Sequence, residues 1–229
     1  VFCPTSPIFR REVNRMNTAL AERYAGHPGL VMWHVSNEYG HLWDHCYCDL
    51  CQQAFRVWLE KRYGNIDTLN DQWWTRFWSH TFNDFSQINA PSDHAHVNGL
   101  TGLMLDWRRF SATQIVEFFK AECEPLRKIT PDVPITTNLM GLFNGMDYAK
   151  MADVLDVVSW DSYPEVGCDP AFTALTHSLM RGTKHGDPWL LMEQTPSSTN
   201  WNGHQRLKAP GLMRNISYQN SFQMSLLKT

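Results

Sequence analysis

Four short apolar runs, each ending in polar residues, constrain the fold of this 229-residue chain more than any other feature. Runs of this kind are typical of strands that are buried on both faces of a parallel sheet. They cover residues 30–35, 134–138, 154–160 and 189–192, and segments of helical periodicity separate them. We therefore expect an α/β fold built from parallel βα units. The length falls slightly below the roughly 250 residues of a (β/α)8 TIM barrel, which predicts an incomplete barrel.

Helices are predicted wherever apolar residues recur at three- and four-residue spacing. Ser6 can cap the first helix, and Pro7 suits its first turn. Its apolar face is expected to contain Val13, Met16, Leu20 and Tyr24. Further helices are expected at residues 49–63, 100–129, 170–181 and 211–227, with short helices and loop at residues 68–85. We find no repeat or linker, and we expect one domain over residues 1–229 that is cut from a longer chain at both ends.

Composition and charge exclude several classes of protein. The net charge of −3 and the lack of a basic cluster argue against nucleic-acid binding, which needs grouped Lys and Arg. No apolar run approaches the roughly 18 residues of a membrane span. We find no glycine-rich phosphate loop, which lowers the odds of a nucleotide-binding doubly wound sheet. The expected location is the cytoplasm.

Polar residues follow each of the four predicted strands. In a parallel barrel the active site gathers at the C-terminal ends of the strands, so these clusters should face one another. The clusters are Ser36-Asn37-Glu38, Thr137-Asn138, Ser159-Trp160-Asp161 and Glu193-Gln194. Trp160, Asp161 and Tyr163 are therefore expected to line a pocket. Asn138 is equally consistent with a satisfied buried amide.

Glu38 and Glu193 are the candidate catalytic pair. An unpaired carboxylate at the end of a buried strand is costly, and so requires a reason. Glycoside hydrolysis with retention provides one, because it uses two carboxyl groups, one as acid/base and one as nucleophile. Asn37, directly before Glu38, can donate a hydrogen bond to a sugar 2-hydroxyl. The alternative is a pair of carboxylates held in ion pairs inside the barrel.

Three cysteines within six positions predict a metal site in a reducing compartment. Cys46, Cys48 and Cys51 give a C-x-C-x-x-C spacing, and tetrahedral zinc takes four ligands that are commonly thiolates. His41 and His45 flank the cluster and could serve as ligands. The alternative is a group of reduced thiols without a metal.

The sequence closely resembles glycoside hydrolase family 42, the β-galactosidases, from end to end and in family order. The segments that carry the resemblance are Phe2-Cys3-Pro4-Thr5-Ser6-Pro7, His34-Val35-Ser36-Asn37-Glu38-Tyr39-Gly40, Cys46-Tyr47-Cys48-Asp49-Leu50-Cys51, Phe77-Trp78-Ser79, Val158-Ser159-Trp160-Asp161-Ser162-Tyr163-Pro164 and Leu191-Met192-Glu193-Gln194-Thr195-Pro196. The chain departs from the family in lacking strands one to three, strand eight and the C-terminal domains.

The resemblance implies Glu38 as acid/base and Glu193 as nucleophile of a retaining β-galactosidase acting on terminal β-D-galactosides. It implies that the four strands are barrel strands four to seven. It also implies a structural zinc ion held by Cys3, Cys46, Cys48 and Cys51. Trp201 and Trp78 correspond to family positions near the sugar, and family members often form homotrimers. No organic cofactor is implied.

Other functions remain as alternatives at this point. A zinc-stabilised binding module would not need four buried strands with polar ends. An aldolase or isomerase barrel would need a Schiff-base lysine or a phosphate site, and no Lys lies at a strand end. An inactive or truncated sugar-binding barrel keeps the fold without the reaction. A related glycosidase acting on α-L-arabinopyranosides or β-D-fucosides is also compatible with such a pocket.

Overall fold

The computed structural model describes residues 3–40, 46–91, 100–194 and 207–225. The strands within these residues are β1 (Trp33–His34), β2 (Ile135–Thr136), β3 (Asn138–Met140), β4 (Val158–Ser162) and β5 (Trp189–Gln194). The α-helices are α1 (Pro7–Tyr24), α2 (Asp49–Tyr63), α3 (Ile66–Trp73), α4 (Thr101–Ile129), α5 (Tyr148–Val154), α6 (Pro170–Thr183) and α7 (Leu212–Ser225). Short 3-10 turns lie at Phe77–Ser79 and Phe85–Gln87.

The strands form an arc in which each neighbour is the next strand along the chain. β1 pairs with β2, and β3 pairs with β4, which pairs with β5; every described pair is parallel. Only Thr137 separates β2 from β3, so the two pieces act as one interrupted strand. A doubly wound sheet reverses its strand order at a switch point, and no reversal occurs among these strands. The arrangement is that of successive strands of a β/α barrel.

The helices cover one side of this arc in chain order. α1 packs on α4, α4 on α5, α5 on α6 and α6 on α7, while α6 and α7 contact β4 and β5. Apolar side chains fill the space between strands and helices, including Phe119, Ile135, Leu139, Met151 and Trp189. This layer supports the strands from behind and leaves their C-terminal ends for the site.

A second apolar cluster lies between α2, α3 and the first half of α4. Phe55, Leu59, Leu69, Trp107 and Phe110 are its most buried members. The buried carboxylate of Asp106 lies beside it and joins the three helices. Tyr63 donates its hydroxyl to Asp106, the Trp73 Nε1 donates to Oδ2 at 3.0 Å, and Arg109 donates to Oδ1 at 3.0 Å. Several donors thus replace the water that this carboxylate loses on burial.

Most predicted elements are confirmed, with differences at their ends. The Ser6 cap is present, since its hydroxyl accepts from the Phe9 amide at 3.3 Å, and α2 has the predicted bounds. The strand expected at residues 30–35 is limited to Trp33–His34. The strand expected at residues 154–160 begins later, because the short helix α5, which was not predicted, runs to Val154.

The predicted apolar face of α1 is confirmed at Val13 and wrong for its other residues. Met16, Leu20 and Tyr24 are exposed, whereas Val13, Asn17 and Ala21 are buried. The polar Asn17 belongs on the buried face because its Nδ2 donates to the Glu122 carbonyl oxygen on α4 at 2.9 Å. One buried hydrogen bond between helices therefore sets the rotation of α1, which counting apolar residues does not detect.

Two glycine-to-alanine substitutions should change stability in opposite directions. A Cβ added at Gly102 on α4 would lie 2.4 Å from Trp73 Cδ1, inside the second cluster. We expect Gly102→Ala to lower the free energy of unfolding by about 1–3 kcal/mol through overpacking. Gly182 on α6 has no atom within 4 Å of the added Cβ, and Gly182→Ala should raise stability by up to about 1 kcal/mol. Thermal or urea unfolding measures both; equal effects would contradict the packing around Gly102.

Candidate active site

Three carboxylates meet at the C-terminal ends of the strands. One oxygen from each of Glu38, Asp161 and Glu193 lies within 4.8 Å of the others. Glu38 follows β1, Asp161 is near the end of β4, and Glu193 is near the end of β5. Asp161 is buried, and the two glutamates are partly exposed. The predicted convergence of these strand ends is therefore present in the structure.

An irregularity between β4 and β5 aims Glu193 at this cluster. Trp160 pairs with Leu191, but the next residue, Asp161, pairs with Glu193, so Met192 is skipped. With strict alternation Glu193 would share the face of Leu191, which packs toward the helices. The bulge moves Glu193 to the face of Asp161. Bulges commonly redirect a side chain in this way near active sites.

Asn138 is the polar centre of the site. Its Oδ1 accepts the Glu38 backbone N–H at 3.0 Å. Its Nδ2 lies 2.7 Å from Asp161 Oδ2, 3.1 Å from Glu193 Oε1 and 3.2 Å from Asn37 Oδ1. The side chain is fully buried. One amide thus holds the Glu38 main chain and contacts two of the three carboxylates.

Tyr163 provides the second donor to Glu193, because its hydroxyl donates to Glu193 Oε2. Burial and the Glu193 carboxylate raise the pKa of the Tyr163 phenol, which therefore keeps its proton and remains a donor. Glu193 accepts from both Tyr163 and Asn138. Both carboxylate oxygens of Glu193 are therefore held in place by donors from neighbouring strand ends.

Asp161 has the opposite environment. Burial, followed by the charges of Glu193 and Glu38, raises its pKa to about 7, although the Asn138 hydrogen bond opposes the shift. Its Oδ1 is buried, and no described residue donates to it. Tyr148, whose pKa burial raises to about 12, is a further neutral group in the field of Asp161 and Glu38. Three carboxylates this close do not all ionise readily, and with a pKa of about 7 Asp161 is mostly protonated below neutral pH.

The cysteine cluster lies where the segment before α1 meets α2. One sulfur from each of Cys3, Cys46, Cys48 and Cys51 lies within 4.8 Å of the others. Cys3 Sγ is 3.4 Å from Cys51 Sγ and 3.5 Å from Cys48 Sγ, far longer than a disulfide. Zinc–sulfur bonds of about 2.3 Å in a tetrahedron put sulfurs about 3.8 Å apart. The four thiols therefore lie close to the spacing that a zinc ion needs, and small movements would bring them to it.

One of the tryptophans predicted for the pocket lies elsewhere. Trp160 is buried on the opposite face of β4 from Asp161, where it packs edge-on against His177 of α6 and near Trp189. The expectation that it lines the pocket is wrong, because β-strand alternation places only every second residue on the site face. Trp78 is exposed in a 3-10 turn, beside Phe77 and His80. Trp201 lies outside the described residues.

The sequence prediction missed one buried glutamate next to the site. Glu122 of α4 accepts the Ser36 hydroxyl at 2.9 Å and also accepts the Tyr39 hydroxyl. Burial raises its pKa. Glu122 follows Phe118 and Phe119 at helical spacing on a buried face. A charged residue within an apolar stripe was the available signal, since it needs a buried partner.

Comparisons with known proteins agree with this geometry. The glycoside hydrolase family 42 profile, described as beta-galactosidase, matches residues 1–222. Beta-galactosidase BgaP of Planococcus sp. (strain L4) is 49% identical over 222 residues, which are 95% of this chain and 32% of that protein. Beta-galactosidase GanA of Bacillus subtilis (strain 168) is 48% identical over 224 residues, 92% of this chain and 33% of that protein.

A solved structure gives the same result for the fold. The crystal structure of beta-galactosidase from Bacillus circulans sp. alkalophilus has a TM-score of 0.91 at 48% identity, covering 97% of this chain and 33% of that one. These relatives have TIM-barrel folds, so the arc of strands is part of such a barrel. The chain spans about a third of the length of the relatives it matches.

Asp161 should make stability depend on pH. A carboxyl whose folded-state pKa is raised, here from 3.8 to about 7, stabilises the fold fully below its unfolded pKa. This contribution is lost as pH rises through about 7. Between the two values the loss is on the order of 1.4 kcal/mol per pH unit. We expect Asp161→Asn to melt at a higher temperature than the parent at pH 8, with a much smaller difference at pH 4.

The control for this experiment is Asp132→Asn, because Asp132 is exposed. Its melting temperature should follow that of the parent at both pH values. A difference between Asp161→Asn and the parent that stays constant from pH 4 to pH 8 would contradict a proton held by Asp161.

Proposed function

This chain belongs to glycoside hydrolase family 42, and from that premise we propose that the protein is a retaining β-galactosidase. It would remove terminal non-reducing β-D-galactose residues by double displacement. The observation that carries the proposal is the short separation of Glu38 and Glu193, since one carboxylate oxygen of each lies within 4.8 Å of the other. Retaining enzymes hold their two carboxyl groups roughly 5–5.5 Å apart, whereas inverting enzymes need about 6.5–9.5 Å.

Glu193 acts as the nucleophile in this proposal. Its anion receives hydrogen bonds from Tyr163 and Asn138 and attacks the anomeric carbon. Glu38 gives its proton to the departing glycosidic oxygen as that bond breaks. Glu38 then takes a proton from water, whose oxygen attacks the anomeric carbon and releases Glu193. Each carboxyl returns to its starting protonation state after one cycle.

Asn37 and Asp161 support the same reaction. The Asn37 amide, which faces Asn138 through its oxygen, is available to donate to the sugar 2-hydroxyl through its nitrogen. Such a contact strengthens in the transition state. When Asp161 is protonated, it adds no negative charge beside Glu193. Trp78 and Trp201 remain predicted sugar contacts.

We extend the proposal to the organisation of the domain. The four strand positions, β1, β2 with β3, β4 and β5, correspond to barrel strands four to seven of one catalytic domain. The order of polar strand ends supports this assignment, with the acid/base Asn-Glu pair first and the nucleophile last.

We also propose that the four cysteines hold a structural zinc ion. Four thiolates complete a tetrahedron and leave no open position for a substrate, so the metal would stabilise structure and take no part in the reaction. Burial raises the pKa of the Cys46 and Cys51 thiols, and zinc would displace those protons on binding. The site would tie the segment before α1 to the start of α2, close in sequence to Glu38.

The substrate, the oligomeric state and the location of the protein are also proposals. The substrate is a β-galactoside, and α-L-arabinopyranosides or β-D-fucosides are alternatives that differ from it little. A homotrimer and a cytoplasmic location stay predictions. None of the described helices is both long enough and apolar enough to span a bilayer.

Replacement of the nucleophile tests the proposed function. We expect Glu193→Ala in the protein at its full natural length to reduce hydrolysis of an aryl β-D-galactoside by at least about a thousandfold, since the covalent step is lost. Azide fills the space left by the side chain and should restore turnover, giving α-galactosyl azide, which chromatography and NMR identify.

The parent enzyme and other sugars provide the controls. The parent should release galactose with the β configuration, and arabinopyranosides and fucosides should be cleaved more slowly. A parent that cleaves none of these substrates would favour the inactive sugar-binding barrel. Full activity in Glu193→Ala would exclude Glu193 as the nucleophile.

Elemental analysis tests the zinc proposal. We expect one zinc per chain in protein prepared without chelators, and loss of that zinc in Cys48→Ser. A structural thiolate site contributes directly to folding, so the variant should also melt at a lower temperature. Cys168→Ser is the matched control because Cys168 lies outside the cluster, and it should keep the metal. Metal-free parent protein with unchanged stability would refute the site.

A further inference from the structure

The segment that carries Glu38 leaves β1 through an unusual backbone. Ser36 has φ 55° and Glu38 has φ 45°, so two residues with side chains occupy the left-handed region. Side chains are disfavoured there, and such residues persist only where surrounding contacts impose the conformation. Gly40, with φ 83°, completes the turn. The direction of the Glu38 side chain therefore depends on what holds residues 36–39.

Asn138 holds this segment from the strand side. It accepts the Glu38 backbone N–H at 3.0 Å and contacts Asn37. The hydrogen bond to the Glu38 N–H fixes the middle of the turn at one backbone atom. The residues at the two ends of the turn need further contacts, because the chain could still rotate about this single hydrogen bond.

Glu122 holds the segment from the helix side. Its Oε1 accepts the Ser36 hydroxyl at 2.9 Å, and its Oε2 accepts the Tyr39 hydroxyl. The two donors stand on either side of Asn37-Glu38, and Glu122 is 96% buried, given its exposed fraction of 4%. The Tyr39 ring packs edge-on against Phe118 and Phe119 of the same helix, at 6.2 and 5.9 Å. The carboxylate is thus anchored in α4 with one oxygen for each end of the turn.

We propose that Glu122 is a positioning residue for the acid/base: by bracing Ser36 and Tyr39 it keeps the strained turn in the form that points Glu38 toward the reacting oxygen. The inference rests on the proposed function, because it assumes that Glu38 donates the proton. Glu122 itself does not touch the carboxylate cluster through any described contact. It acts through the side chains of Ser36 and Tyr39, which lie on either side of Glu38 in the sequence.

A buried carboxylate is a costly choice for a purely structural contact. Burial raises the pKa of Glu122, and the hydroxyls of Tyr39 and Ser36 oppose that shift. Tyr39 keeps its proton, since burial and Glu122 raise its pKa as well. The titratable groups facing Glu122 are Tyr39 and the neighbouring Cys123. The two oxygens of Glu122 accept hydrogen bonds in fixed directions, so they specify the conformation of the turn, which apolar packing at this position would not do.

Asp106 offers a matched comparison on the same helix. It is equally buried, also accepts a tyrosine hydroxyl, and belongs to α4. Its partners are Tyr63, Trp73, Arg62 and Arg109, all in the second apolar cluster or on its edge, so it contacts no residue of the turn. Loss of Asp106 should reduce stability without changing the direction of Glu38.

The test compares two substrates in kcat/KM, which reports the first, bond-breaking step. Dinitrophenyl β-galactoside has a leaving group that departs without a proton, whereas phenyl β-galactoside needs one from Glu38. General acid catalysis contributes on the order of 100- to 10,000-fold, and a displacement of about 1 Å can cost on the order of 100-fold. Five single variants are compared with the parent, each made in the protein at its full natural length: Glu122→Gln, Tyr39→Phe, Ser36→Ala, Asp106→Asn and Glu38→Ala.

We expect Glu122→Gln to lower kcat/KM by about tenfold or more on the phenyl substrate and by less than about threefold on the dinitrophenyl substrate. Tyr39→Phe and the mild Ser36→Ala should change the ratio in the same direction by smaller factors. Asp106→Asn should lower the melting temperature and leave the ratio of the two substrates unchanged.

Two results would overturn the inference. Equal losses on both substrates in Glu122→Gln and in Ser36→Ala would show that Glu122 has no specific effect on proton donation. The Glu38→Ala variant separates this failure from failure of the proposed function, because it should show the largest discrimination of all. If Glu38→Ala discriminates and Glu122→Gln does not, only the positioning role falls. If Glu38→Ala does not discriminate, both assignments fall.

Discussion

The hydrogen bonds of Asn138 are the constraint on which the rest of the site depends. Its oxygen is fixed by the Glu38 backbone N–H, so its nitrogen must face Asp161 and Glu193. The amide cannot be turned around without placing an acceptor against two carboxylates and a donor against an N–H. Asn138 lies at the start of β3, so the pairing of β3 with β4 also positions the amide that contacts Asp161, Glu193 and the Glu38 main chain.

Helix α4 connects this centre to the rest of the molecule. Its first half carries Trp107 and Phe110 into the second apolar cluster, and Asp106 joins it to α2 and α3. Its second half packs against α1 and carries Glu122 to the turn around Glu38. A single helix therefore contacts both α2 and α3 and the turn around Glu38, and a shift of one should affect the other.

Much of the site could be predicted from the sequence, for a simple reason. Parallel strands bring their C-terminal ends together, so polar residues after the apolar runs identify Glu38, Asn138, Asp161 and Glu193 without knowledge of their distances. What failed depends on contacts between distant residues. Trp160 faces α6 because alternation along β4 reserves the site face for Asp161, and the skip at Met192 that redirects Glu193 has no local signal. The apolar stripe of α4 marks Glu122 as buried, but its partner Ser36 lies 86 positions earlier, and no local pattern connects the two.

The two glutamates are held from different parts of the fold. Glu193 is held at its own oxygens, where Tyr163 and Asn138 donate directly. The main chain around Glu38 is held by Asn138 at its N–H and by Glu122 at Ser36 and Tyr39. In the reaction proposed for this pair, Glu38 changes its protonation state twice in each cycle, whereas Glu193 forms and breaks a covalent bond. Contacts to the backbone do not depend on the proton of the side chain, so bracing of this kind suits a residue that must keep its direction through the cycle.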